Sequence, residues 1–121
     1  MVRFLFLIIF ILIPFGKAHF QTYNILDFGA QSSEFFVNTE SINNAIKECA
    51  NKGGGTVLIP KGKYVSGTIH LKSNVNLHLE TGSFLIGSLD IDDYGVMPDG
   101  YYYSGKNLMG LIFANDVENI S

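Results

Sequence analysis

The strongest constraint on the fold is a string of short β-rich runs that begins after Gly55 and never lengthens. Thr56-Val57-Leu58-Ile59, Tyr64-Val65-Ser66, Thr68-Ile69-His70-Leu71, and the runs 75–79, 84–87 and 111–114 are each closed by Gly, Pro, Asn or Asp. Alternation puts Ile69 and Leu71 on one side and His70 on the other. It likewise puts Val75, Leu77 and Leu79 inward, with Asn76, His78 and Glu80 outward, so one face of each strand is buried. Glu80-Thr81-Gly82-Ser83 parts the runs 75–79 and 84–87, without the Asn-Gly or Asp-Gly pair that closes a tight hairpin. A corner that sends the second run to another sheet fits better. Repeated corners give a solenoid, in which each circuit of chain adds strands to several sheets. An antiparallel sandwich or jelly roll also uses many short strands and stays open on spacing alone.

Ahead of these runs the period changes. Ile42, Ala45, Ile46, Cys49 and Ala50 share one helical face, which predicts a helix over 40–51 with Asn38 or Thr39 as N-cap. Its stop lies in Lys52-Gly53-Gly54-Gly55, a cation followed by glycine. Tyr23-Asn24-Ile25-Leu26-Asp27-Phe28-Gly29-Ala30 reads as a short strand broken at Gly29, and 31–37 as a loop. A helix ahead of the first strands of a solenoid can cover backbone groups that would otherwise lie open.

The first residues place Arg3 before an unbroken apolar run, 4–15, and then the small residues Gly16 and Ala18. This is the pattern of a secretory signal peptide over 1–18, cleaved after Ala18 to leave His19 first, and the run is short for a membrane anchor. The expected location is secreted or periplasmic, without stable membrane association after cleavage. Cys49 is the single cysteine, so no intramolecular disulfide is available. On the apolar helix stripe it reads as a small buried hydrophobe. Eight Lys+Arg against eleven Asp+Glu, a formal charge of -3, lack the footprint of a nucleic-acid binder.

The order YNILDFGA, then NTESINNAIKECANKGGGTVLIPKGKYVSGTIHLKSNVNLHLETGSFLIGS, then LIFANDVENIS resembles the N-terminal part of glycoside hydrolase family 28, the polygalacturonases, in the pectin lyase-like superfamily. The likeness runs over 23–121. Its most diagnostic part is the helix, GGGTV, a Pro-bounded strand, a G-x-Y strand and then LKSNVNLHLE-x-G. The resemblance implies an all-β, right-handed parallel β-helix with an N-terminal capping α-helix, residues 19–121 forming the cap and first coils of an incomplete domain. It also implies inverting hydrolysis of pectic α-galacturonan by the full-length parent, with pectic polysaccharide as partner and no cofactor. A non-catalytic carbohydrate-binding or adhesive β-helix, or a polysaccharide lyase, are the alternatives within the superfamily.

The family's catalytic aspartates come from N-T-D and D-D motifs supported by G-H-G and R-I-K. Asn38-Thr39-Glu40 looks like N-T-D but carries Glu at the third place and opens the helix. Asp92-Asp93 looks like D-D but reads as a solvated turn. None of His19, His70 and His78 is flanked by glycines, and Arg3 is the only arginine. No catalytic, cofactor or metal residue is assigned, and the segment alone is expected to be inactive. His70, His78 and Glu80 match a metal-ligand set in type, but their spacing guarantees no shared face. Tyr101-Tyr102-Tyr103 could stack on sugar rings or fold over a flank half buried. Asn119-Ile120-Ser121 is an N-glycosylation sequon that matters in a eukaryotic secretory pathway.

Overall fold

The computed structural model describes residues 21–97 and 109–121. Its elements are β1 (Gln21–Asn24), β2 (Ser33–Val37), α1 (Thr39–Asn51), β3 (Gly55–Ile59), β4 (Gly62–Ser66), β5 (Ile69–His70), β6 (Val75–Leu79), β7 (Ser83–Gly87) and β8 (Ile112–Phe113). The signal-peptide reading and Tyr101-Tyr102-Tyr103 lie outside the described residues.

The strands form three sheets, with orders β1-β3-β6, β2-β4-β7 and β5-β8. From β3 on they visit these in rotation, whereas between β2 and β3 the chain passes through α1 instead of a strand of the third sheet. Every ladder is parallel, with Gly55 opposite Val75, Tyr64 opposite Leu85 and Ile69 opposite Ile112. β6 and β7 therefore sit in different sheets, and Glu80-Thr81-Gly82 is a corner, in which Ser83 N donates to Glu80 O at 2.9 Å. Past β8 the chain returns to the first sheet: Leu77 N donates to Ser121 O at 2.7 Å and Asn74 N to Glu118 O at 3.2 Å.

The core lies between the sheets and α1. Ile25, Val57, Ile59, Tyr64, Ile69 and Val75 pack with Ile42, Ala45, Ile46 and Cys49 of the helix. The predicted apolar stripe is thus the buried one, and each large apolar side chain it buries contributes about 1.5–3 kcal/mol. The helix ends as its sequence requires, with Gly53 and Gly54 at φ 98 and 105 and Gly54 N donating to Cys49 O at 2.9 Å.

Three local expectations differ. The stretch 31–37 is not all loop: Ser33–Val37 is strand, paired to β4 across an irregular register. Its alternation is weak, with Phe35 97% exposed, so pairing with a distant strand decides its state. Only Gln21–Asn24 of the opening run is extended; a 3-10 turn, Ile25–Phe28, follows and closes on Gly29 at φ 91. Leu79 is 40% exposed rather than inward, although Ile59 of β3 lies opposite it.

The circuits differ in length. Asn76 faces Thr56 20 positions earlier, whereas Ser121 faces Asn76 45 positions earlier. The extra chain leaves after β7 and rejoins before β8. One buried side chain holds both ends: Thr68 Oγ1 accepts from Gly95 N at 3.0 Å and donates to Gly110 O at 2.9 Å.

Candidate functional site

Two adjoining concavities lie where α1 crosses β5. Asn43 fixes that crossing, donating Nδ2 to Thr68 O at 2.9 Å and accepting His70 N on Oδ1 at 2.8 Å. One helical turn on, Lys47 shares its face, and Glu40 precedes it by about a turn. Lys72 follows His70 by two positions, just past the end of β5. Together Glu40, Asn43, Asn44, Lys47, His70 and Lys72 line a hollow of about 420 Å³. His70 and Lys72 also wall an adjoining hollow of about 630 Å³ that reaches Asn51, Asn115 and Asp116. Phe113 meets the His70 ring edge-on, centroids 5.9 Å apart at 75°.

The charges there are not internally compensated. Among the described residues, Lys52 pairs with Glu48 at 3.9 Å and Lys63 with Glu34 at 3.5 Å. Neither Lys47 nor Lys72 has a carboxylate at ion-pair distance among those residues. Two ammonium groups, an amide and an imidazole lining one hollow can hold an anion and hydrogen-bond hydroxyl groups.

The residues singled out in the sequence are placed as follows. His70 is on β5 and His78 on β6, in separate sheets, and no group of three His, Cys, Asp or Glu among the described residues could hold a metal ion. Asn38, fully buried, precedes α1 without capping it through its side chain. Instead its Oδ1 accepts Gln31 N at 2.7 Å, and its Nδ2 donates to Gln31 O at 3.0 Å and Phe36 O at 3.3 Å. Thr39 Oγ1 accepts Gly67 N at 2.7 Å. Asp92 N caps onto Asp90 Oδ1 at 3.0 Å, while the Asp93 carboxylate takes the Ser88 hydroxyl. Cys49 is buried, and desolvation pushes its thiol pKa up, which disfavours the nucleophilic thiolate.

Lys47, Lys72 and Asn43 escaped the sequence reading. The signal available was the i, i+4 relation of Asn43 to Lys47 and the i, i+2 relation of His70 to Lys72. What brings the two pairs together is the packing of helix on strand.

No protein-family model matches the chain. It is 36% identical over 78 residues to an exo-poly-alpha-D-galacturonosidase of Dickeya chrysanthemi, covering 64% of this chain and 12% of that protein. It is 29% identical over 106 residues to a protein of Vitis vinifera described as "Probable polygalacturonase", covering 80% of this chain and 22% of that one. Among solved structures, the family 28 exopolygalacturonase of Yersinia enterocolitica superposes with a TM-score of 0.73 at 38% identity, over 86% of this chain and 20% of that one. The chain thus spans under a quarter of the length of each. Short parallel strands in three sheets, one helix set against them and these identities agree: in sequence and in backbone, the chain is similar to a segment of the family 28 polygalacturonases.

Proposed function

We propose that the chain is the N-terminal segment of a secreted, polygalacturonase-like glycoside hydrolase whose longer parent cleaves pectic α-galacturonan with inversion. The observation that carries this reading is the 38% identity and TM-score of 0.73 to a family 28 exopolygalacturonase over 86% of the chain. In this reading the three parallel sheets are the first coils of a right-handed β-helix. α1, packed against β1, β3, β5 and β6, caps its N-terminal side. Residues 1–18 are the export signal and 19–121 the cap and first coils.

Inverting hydrolysis needs two carboxyl groups about 6.5–9.5 Å apart, one protonating the leaving oxygen and one activating water from the opposite face. The segment carries neither N-T-D, G-H-G nor R-I-K, and its Asp92-Asp93 pair lies in a turn next to Asp90. The acid and the base therefore belong to the parent, and this segment supplies scaffold and flank. The lyase and adhesive readings draw no support from the relatives named above.

A reducing-end assay on polygalacturonate tests it. The segment gives no turnover above a matched blank, and the protein encoded with its continuation, carrying the four motifs in order, does. Unsaturated products from that longer protein would establish a lyase, and absence of both products would sink the enzymatic reading. Exported protein should begin at His19 on N-terminal sequencing.

A further inference from the structure

We propose that the hollow between α1 and β5 is a binding site for an acidic galactan, with Lys47 and Lys72 holding its anionic groups and His70 and Asn44 facing its hydroxyls. The choice of an acidic polysaccharide rests on the function proposed above. The location rests on the geometry alone.

The protein's net charge is negative, yet two lysines without ion-pair partners among the described residues line the same hollow of about 420 Å³. That volume falls within the range of small-ligand clefts, about 300–1,000 Å³. Its floor is fixed: both polar atoms of Asn43 are engaged, to Thr68 O and from His70 N, and Phe113 backs the His70 ring. The exposed ammonium groups stand on this fixed floor at the ends of flexible stems, as point charges with three donors each. They do not choose between a carboxylate and a sulfate, so the shared ligand chemistry is an anionic group beside ring hydroxyls.

The charges opposing such a ligand are also in place. Glu40 lines the same hollow, and Asp116 stands in the adjoining one. Glu40 therefore weakens what Lys47 and Lys72 strengthen, which gives the site a signature of opposite signs. Exposed single ion pairs are weak, so one sugar binds loosely and a polymer gains through repeated anionic groups.

The test is a titration of the isotope-labelled full chain, followed by the backbone amide of His70 and the side-chain amides of Asn43 and Asn44. The probes are a short oligogalacturonate, a sulfated galactan oligosaccharide and a neutral galactan oligosaccharide. Acidic probes should shift these signals, more weakly at high salt, and the neutral one should not. The Lys47→Gln, Lys72→Gln double variant should weaken binding by about three- to tenfold, Glu40→Gln should tighten it, and Lys61→Gln should leave it unchanged. These are exposed positions, and an unchanged amide spectrum reports that each variant remains folded. Binding of the oligogalacturonate supports site and pectic reading together. Binding of the sulfated probe alone keeps the site and overturns the pectic reading. Equal binding of the neutral probe, shifts elsewhere only, or a Glu40→Gln effect of the same sign as the lysine variants overturns the site.

Discussion

Asn119 donates its side-chain Nδ2 to Oδ1 of Asn74 at 3.0 Å, across 45 positions of sequence, and both residues hold a left-handed backbone, at φ 55 and 65. Asn tolerates that conformation better than most side chains. Beneath them in the same column stands Gly54 at φ 105, set by the pairing of the next residue, Gly55, with Val75. Its neighbour above leaves no room: a Cβ there would lie 2.5 Å from Asn74 O. Three successive entries into the first sheet thus pass through a residue of positive φ, Gly54, then Asn74, then Asn119.

Removing either partner of the asparagine pair should cost the same interaction. Asn74→Ala and Asn119→Ala, combined in a double-mutant cycle by chemical denaturation, should show a coupling of about 0.5–1.5 kcal/mol. A cycle that closes to zero would mean the side-chain bond contributes nothing in solution.

Gly54→Ala should be far worse than either. The position carries a positive φ and abuts backbone, so about 1–3 kcal/mol of conformational strain adds to a steric conflict that no rotamer relieves. A melting temperature within a degree or two of wild type would contradict the crowding described.

Thr68→Val keeps the shape and removes the hydroxyl that holds Gly95 N and Gly110 O. Those two groups lose their shared partner at a buried position, a cost of about 1–3 kcal/mol, whereas Thr68→Ser should retain most of the stability. Hydrogen exchange at Gly95 should quicken in the valine variant and not in the serine one.

High pH should destabilise the protein. Burial raises the Cys49 thiol above its ordinary 9.0. Burial, and then the Glu80 charge, raises the Tyr64 phenol above its ordinary 10.0. Both acids hold their protons more tightly folded than unfolded. The stability they contribute is therefore full below the unfolded values and falls as pH rises through them. Melting temperatures measured from neutral pH upward should fall as pH rises through the thiol and phenol range, and Cys49→Ala and Tyr64→Phe should each make that fall shallower.

The helix and most strand centres were legible because their apolar residues repeat at 3.6 or 2 positions, and the corner at Glu80-Thr81-Gly82-Ser83 because it lacked hairpin chemistry. β2 was not, since Phe35 points outward and only pairing with β4 makes Ser33–Val37 a strand. The role of Asn38 was also hidden: a residue chosen as an N-cap by type gives its amide to the loop it closes. The Lys47 and Lys72 hollow depends on where a helix crosses a strand, and local spacing carries no information about that crossing.

Because the described ladders are all parallel, no strand finds its partner by turning back on itself. Side chains stacked on neighbouring strands are separated by 20 positions at the near end of the range and 45 at the far end. Such a chain has a high contact order, and loop-closure entropy opposes each pairing before the ladder can reward it. Among the described residues α1 is the one long element whose bonds are local, and helices of its length relax in about a microsecond. It will form and dissolve many times before β3 and β6 meet. Folding is thus gated by the search of strands for their neighbours, at the millisecond-to-second pace of non-local β proteins.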